Sequence, residues 1–286
     1  MFDLITGKTI HLGIIGWSAD HSFSPRMHNY ISDKMGMDYV YTAFNVKPES
    51  LENAIKGIRA LDIRGINVTA PHKIEVMKYL DEISPEAMRL GSVNTVVNRN
   101  GKLTGYNTDS EGFYTALINA GIEIAGKKLL IMGSGGVVKP TLIRLCEAKP
   151  ESITLVNRTR QKAWVMAEMI YDATGYRIKT EVDDFDFDLV INTTSAGMEP
   201  QEDTLPIDCI AEIPDLDFIH TGMAAVDMIY NPPETLFLKK AREMGAKTLN
   251  GLDMLIYQGI IAYELFTDTK LPEDMAACIR KEVFGR

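Results

Sequence analysis

Short continuous apolar runs alternate with stretches whose apolar residues recur every three or four positions, and the alternation continues along nearly the whole chain. The continuous runs predict strands at 10–16, 39–44, 65–69, 93–97 and 102–106, then at 127–132, 153–156, 189–192 and 226–230. Between 24 and 35 the spacing becomes helical: Met27, Tyr30, Ile31 and Met35 share one side, with Ser24 placed as N-cap, Pro25 at the first helical position and Gly36 after the last turn. Further helices are predicted to begin at Pro71 and to cover 110–120, and a strongly apolar one over 253–266 is expected to pack back on the first part of the chain. Asn100-Gly101, between two strand runs, predicts a two-residue hairpin turn. Strands alternating with helices predict an α/β protein with largely parallel sheets. No internal repeat, low-complexity segment or long linker interrupts the pattern.

The run at 127–132 leads into Gly133-Ser134-Gly135-Gly136, a helical stretch and the strand at 153–156. Strand, glycine turn, helix, strand is the layout of a Rossmann-type dinucleotide-binding unit. Its glycines let the backbone approach a pyrophosphate, and the free N–H groups at the helix start bind the anion. The second strand then ends in Asn157-Arg158-Thr159-Arg160-Gln161-Lys162, with no carboxylate to hold a ribose 2′-hydroxyl. Arg158, Thr159 and Lys162 are donors suited to a 2′-phosphate, so NADP is expected before NAD.

Composition narrows the class. With 286 residues, 45% hydrophobic and 24% charged, the chain can bury one or two ordinary cores. No leading basic segment with a long apolar stretch and no later membrane-length run is present, so the reading is a soluble, cytoplasmic protein. A formal charge of −9 without a basic block argues against nucleic acid and for a small-molecule partner. Cys146, Cys209 and Cys278 are far apart and lack metal-type spacing, which predicts packed, reduced thiols and no metal site.

The candidate chemistry lies in two polar runs, Asn67-Val68-Thr69-Ala70-Pro71-His72-Lys73 and Gly105-Tyr106-Asn107-Thr108-Asp109. Strands rich in Asn and Thr that end on an ionisable residue make poor core, because every buried amide needs a partner. They suit the lining of a site for a hydroxylated ligand. As alternatives, Asp109 could be an N-cap or first-turn acid of a helix and Lys73 a surface lysine, although a cation at the start of a helix opposes the helix dipole. His21, His28 and His72 have no partner identifiable from sequence and are read as structural.

These pieces together resemble the shikimate dehydrogenase family over nearly the whole length. The resemblance is carried by His21-Ser22-Phe23-Ser24-Pro25, Asn67-Val68-Thr69-x-Pro71-x-Lys73, Gly91-Ser92-Val93-Asn94-Thr95, Asn107-Thr108-Asp109 and the glycine turn. It continues through Asn157-Arg158-Thr159, Asn192 to Met198, Asp227-Met228-x-Tyr230-x-Pro232 and Met254-Leu255-x-x-Gln258. It implies NADPH-dependent reduction of 3-dehydroshikimate to shikimate on the route to the aromatic amino acids. The implied fold is a substrate domain over 1–109 completed by the helices of 252–286, beside a Rossmann-type NADP domain over 110–251, with a cleft between them.

Carried over position by position, the resemblance makes Lys73 and Asp109 the catalytic pair. It gives Ser22, Ser24 and Tyr230 to the substrate carboxylate, and Asn67, Thr69, Asn94 and Gln258 to ring hydroxyls. Gly133, Ser134, Gly135 and Gly136 would approach the cofactor's phosphates, Arg158, Thr159 and Lys162 its 2′-phosphate, and Asn157 is counted among the cofactor residues. Thr193, Ser195, Gly197 and Met198 would lie against the nicotinamide, and Gly251 is counted with them. A monomer or homodimer is expected.

The chain also departs from the family pattern. Trp17-Ser18 stands where a proline usually follows, Ser110 stands where glycine is usual, and Val137-Val138-Lys139-Pro140 replaces small residues. Valine at the third fingerprint position would crowd helix against strand, and Pro140 would remove a helical N–H unless it falls in the first turn. Two alternatives therefore stand beside the main reading: a quinate/shikimate dehydrogenase using NAD or both cofactors, and a shikimate-binding regulatory protein without turnover.

Overall fold

The computed structural model describes residues 5–17, 19–136 and 138–285. Ser18, Val137 and the side chain of Cys209 lie outside the described residues. The chain divides into two compact units, one of residues 1–112 with 256–286 and the other of 113–255. Among the described residues no helix is long and apolar enough to cross a membrane.

The first unit is built on a six-stranded sheet of β1 (Ile10–Gly16), β2 (Tyr39–Asn45), β3 (Gly65–Val68), β4 (Glu82–Ile83), β5 (Thr95–Arg99) and β6 (Lys102–Tyr106), in the order β2-β1-β3-β5-β6-β4. β1 is parallel to β2 and β3, and β4 to β6, whereas β5 is antiparallel to both β3 and β6, so this sheet is mixed with parallel pairings in the majority. The hairpin forms as expected: Asn100 and Gly101 have φ of 54° and 85°, and Arg99 pairs with Lys102. The strand expected at 93–97 runs instead over Thr95–Arg99, and the backbone oxygen of Asn94 just before it accepts from Val68 N–H at 2.7 Å.

Four helices follow in chain order: α1 (Ser24–Met35), α2 (Leu51–Ala60), α3 (Pro85–Leu90) and α4 (Asp109–Asn119). α2 places Leu51, Ile55 and Ile58 against Ile15, Ile66, Val68 and Val96 of the sheet. Burying each such side chain contributes about 1.5–3 kcal/mol. Ser24 is not the N-cap of α1. Phe23 holds that position without a side-chain cap, and Ser24 donates its N–H to Ser22 Oγ at 3.2 Å. Nor does a helix begin at Pro71. Residues 71–74 form a turn, and a 3-10 helix runs over Glu75–Tyr79. A local turn bond and one tertiary partner claim the backbone there: His72 N–H donates to Thr69 O at 3.0 Å, and Lys73 O accepts from Val93 N–H at 2.9 Å.

The second unit holds a fully parallel sheet of β7 (Lys128–Met132), β8 (Ser152–Val156), β9 (Leu189–Asn192), β10 (Ala224–Asp227) and β11 (Lys247–Leu249), ordered β11-β10-β9-β7-β8. Helices α5 (Val138–Glu147), α6 (Arg160–Thr174) and α7 (Leu236–Glu243) connect these strands. β10 ends earlier than the expected 226–230 because the Asp227 side chain takes the N–H of Ile229 at 2.9 Å. Leu130, Met132, Val190, Ala225 and Phe237 belong to its core.

The chain then returns to the first unit through α8 (Leu252–Thr267) and α9 (Met275–Phe284). α8 packs on the first sheet, as expected for the apolar helix at 253–266. A Cβ on Gly65 would fall 2.1 Å from the Phe266 ring. α8 also meets α4 closely, since a Cβ on Gly112 would lie 2.6 Å from the backbone nitrogen of Gln258. Cys146 is buried, which pushes its thiol up to about 12, whereas Cys278 is half-buried and 3.1 Å from Lys34 Nζ.

Candidate active site

Lys73 and Asp109 meet in the first unit, with Lys73 Nζ 2.6 Å from Asp109 Oδ2 and the two side chains 23% and 14% exposed. They come from different elements, the turn after β3 and the first residue of α4. Asp109 is not the helix cap. Asn107 Oδ1 accepts from the N–H groups of Asp109 at 3.1 Å and Ser110 at 3.4 Å, which leaves the Asp109 carboxylate to the lysine. His72, in contact with Val46 through a ring nitrogen 2.7 Å from its carbonyl oxygen, helps fix the turn that carries Lys73. Ser110, which stands where the family has glycine, is fully buried and donates to Glu86 Oε1 at 3.3 Å, so the added hydroxyl has a partner.

Next to this pair, the polar ends of β3, β5 and β6 interlock. Asn67 Nδ2 donates to Asn94 O at 3.3 Å and to Thr95 Oγ1 at 3.0 Å, and Asn67 Oδ1 accepts from Tyr41 Oη at 2.8 Å. Asn94 Nδ2 donates to Thr108 Oγ1 at 2.9 Å, and Asn94 Oδ1 accepts the N–H of Thr108 at 2.8 Å and the hydroxyl of Thr95 at 3.0 Å. Both amides are therefore rigidly aimed. Thr69 is half-buried at the end of β3, and Gly16 lies so close that a Cβ there would strike the Thr69 methyl. Ser24 and Gln258 are buried polar groups of the same unit, and Ser22 is half-buried. Asn107, Thr108 and Thr95 were named from sequence only within motif runs and without roles of their own, and Tyr41 was not named at all, because its partner Asn67 is 26 positions away.

The expected cofactor residues gather mostly in the second unit around a cavity of about 670 Å³. It lies at the C-terminal ends of β7, β8 and β9, where parallel α/β sheets bind their ligands. Gly133, Ser134, Gly135, Asn157, Arg158, Thr159, Lys162, Thr193 and Ser195 line it. Thr194, Gln201, Thr204 and Asp208 line it too and were not foreseen. Gly136, Gly197, Met198 and Gly251 are not among its lining residues. Gly197 and Gly251 have structural reasons of their own: Gly197 has φ of 95°, and a Cβ on Gly251 would meet Met228 O at 2.2 Å.

The loop fits a dinucleotide. Gly133 has φ of 108° and no room for a Cβ beside Thr193 Oγ1, while a Cβ on Gly135 or Gly136 would meet no protein atom within 4 Å. Pro140 is the third residue of α5, within the first turn, where its missing N–H costs nothing. Val138 is fully buried at the start of that helix. Three cations, Arg158, Arg160 and Lys162, crowd the N-terminus of α6, which the helix dipole disfavours unless an anion is added. Arg160 pairs with Glu212, whereas no ion pair involves Arg158 or Lys162 among the described residues.

Asp227 ties the ends of three elements together. It accepts from Asn192 Nδ2 at 3.1 Å, Ile229 N–H at 2.9 Å and Thr235 Oγ1 at 2.7 Å. Burial outweighs these donors and pushes its carboxyl up to about 6. Tyr230, in the following loop, is half-buried, and its phenol is raised by burial.

Residues 14–96 match the shikimate dehydrogenase substrate binding domain, and 251–283 match the shikimate 5′-dehydrogenase C-terminal domain. A shikimate dehydrogenase (NADP+) of Methanococcus maripaludis is 43% identical over 268 residues, covering 92% of this chain and 93% of its own. A solved shikimate dehydrogenase in complex with NADP+ superposes with a TM-score of 0.89 at 40% identity, covering 98% of this chain and 97% of that one. The shikimate 5-dehydrogenase of Listeria monocytogenes, solved with shikimate and NAD, gives 0.87 at 36% identity, covering 96% and 97%. With relatives this similar over nearly its full length, the chain belongs to the shikimate dehydrogenase family.

Proposed function

We propose that this protein is a cytoplasmic shikimate dehydrogenase that interconverts shikimate and 3-dehydroshikimate with NADP, in the pathway to chorismate and the aromatic amino acids. The observation that carries the reading is the Lys73–Asp109 pair, 2.6 Å apart beside a set of locked Asn and Thr side chains. The first unit binds the substrate, with Ser22 and Ser24 at its carboxylate and Asn67, Thr69, Asn94 and Gln258 at its ring hydroxyls. Tyr230 of the second unit also serves the carboxylate. The second unit binds NADP through the glycine turn, Asn157, Thr159 and the residues of 193–198, with Arg158 and Lys162 as partners of the 2′-phosphate.

When bound, the nicotinamide supplies or accepts the hydride. The protein's own task is the proton. In the reductive direction the carbonyl oxygen gains negative charge, which the Lys73 ammonium stabilises and, with Asp109, neutralises by proton transfer. The ion pair holds Lys73 in place, so the donor needs no reorganisation as charge develops.

Initial rates with shikimate and quinate, each offered with NADP+ and NAD+, test the reading through nicotinamide absorbance. Shikimate with NADP+ is expected to dominate. Comparable quinate or NAD+ rates would place the protein in the broader quinate/shikimate branch, and a folded protein that binds shikimate without turnover would be a binding protein. Lys73→Ala and Asp109→Ala are each expected to lower kcat by about 100-fold or more. A variant within a few-fold of the parent rate would remove that residue from the proton step.

A further inference from the structure

Tyr41 has no part in the chemistry described so far, yet it is among the most constrained side chains of the first unit. It is 1% exposed, and its hydroxyl donates to Asn67 Oδ1 at 2.8 Å. Its ring stacks on His28 with centroids 4.3 Å apart and planes 3° from parallel. Its backbone is clamped by Asn29, which accepts the Tyr41 N–H at 2.8 Å and donates to the Tyr41 carbonyl at 2.9 Å. Burial raises the phenol well above its ordinary range, so it remains a donor.

The direction of the Asn67 amide follows from its partners. A backbone carbonyl can only accept, so the NH2 group must face Asn94 O, and its other hydrogen goes to Thr95 Oγ1. Both donors are spent inside the protein. The oxygen receives Tyr41 and keeps one lone pair, so Asn67 can offer a ligand an acceptor and nothing else. Without the Tyr41 hydroxyl, a buried oxygen would lose its partner and the amide its fixed aim.

We propose that Tyr41 is a positioning residue that, by holding Asn67 Oδ1, makes Asn67 select a ring hydroxyl at its subsite and discriminate against a ring carbon lacking one. The proposal rests on the reading of the protein as a shikimate dehydrogenase. It explains why a phenol is locked on three sides within one side chain of the site.

The test is Tyr41→Phe, assayed with shikimate and with its 4-deoxy and 5-deoxy analogues, together with the KM for NADP+. For shikimate, kcat/KM is expected to fall roughly tenfold or more, chiefly through KM, while the KM for NADP+ stays unchanged. With the analogue that lacks the hydroxyl Asn67 accepts, parent and variant should agree within about twofold. An equal loss on all three compounds, or no loss on shikimate, overturns the proposal. If Tyr41→Phe folds poorly, Asn67→Ala on the same compounds substitutes for it: it should lose the preference for shikimate over one analogue, and a retained preference overturns the proposal. A parent protein that neither turns over nor binds shikimate would overturn the functional reading as well. Active parent with uniform Tyr41→Phe losses removes only the role of Tyr41.

Discussion

His28 sits at 0% exposure with no hydrogen-bond partner for either ring nitrogen among the described residues, stacked on Tyr41 and near Tyr263 and Phe266. Burial holds its pKa down to about 3. The native protein therefore keeps it neutral across the pH range where an unfolded chain, with the ordinary value of 6.5, binds a proton. Stability from this group is complete above pH 6.5 and is lost as pH falls toward 3, at about 1.4 kcal/mol per pH unit within that window. Asp227 acts in the opposite sense: raised to about 6 from 3.8, it takes up its proton first in the folded state and gains stability as pH falls between those values. His28→Phe retains a stacking ring and removes the titration. Its unfolding free energy relative to the parent should rise by on the order of 2 kcal/mol between pH 7.5 and pH 5, read from denaturant melts. A pH-independent difference would show that His28 is protonated or solvated in the native state.

Helices α4 and α8 are the elements on which the candidate site depends, because one begins at Asp109 and the other carries Gln258. They approach so closely at Gly112 that a Cβ there would lie 2.6–2.8 Å from Gln258 backbone and side-chain atoms. Gly112→Ala is expected to destabilise the protein by about 1–3 kcal/mol through overpacking, despite alanine's better helix propensity, and to raise the KM for shikimate. An unchanged denaturation midpoint would mean that the helices separate without cost. Much at this scale was legible from pattern alone. The strands at 10–16, 102–106 and 189–192 have the expected bounds, and the Asn-Gly turn joins the expected pair. Element ends set by particular side-chain and loop hydrogen bonds were not legible: the Asp227 carboxylate cuts β10 short by taking the Ile229 N–H, and a turn bond to Thr69 with a long-range bond from Val93 replaces a helix at Pro71. α2 shows Leu51, Ile55 and Ile58 at helical spacing but lacks the apolar density that drew attention to α8. The glycine turn, Lys73 and Asp109 could be picked out locally. The Tyr41 contact could not, since its partner Asn67 is 26 positions away.

Across the whole molecule, the two ligand classes are assigned to different units, and this has a measurable signature. In hydrogen exchange, NADP+ alone should slow the amides around 133–136 and 157–162, and shikimate alone those around 67–73 and 107–109. Protection of only the first-unit amides by NADP+ would contradict the assignment of the cofactor to the second unit.

The division of the chain at 112/113 and 255/256 falls inside α4 and α8, at the level where Gly112 touches Gln258. The backbone thus leaves the first unit and rejoins it at adjacent points, so the second unit is an insertion whose two ends are already together. During synthesis, the strands of the first sheet emerge long before α8 does. Gly65 and its neighbours must therefore wait without the Phe266 ring that covers them, while the inserted unit, contiguous in sequence, can fold completely. The first unit is thus begun before the second and finished after it.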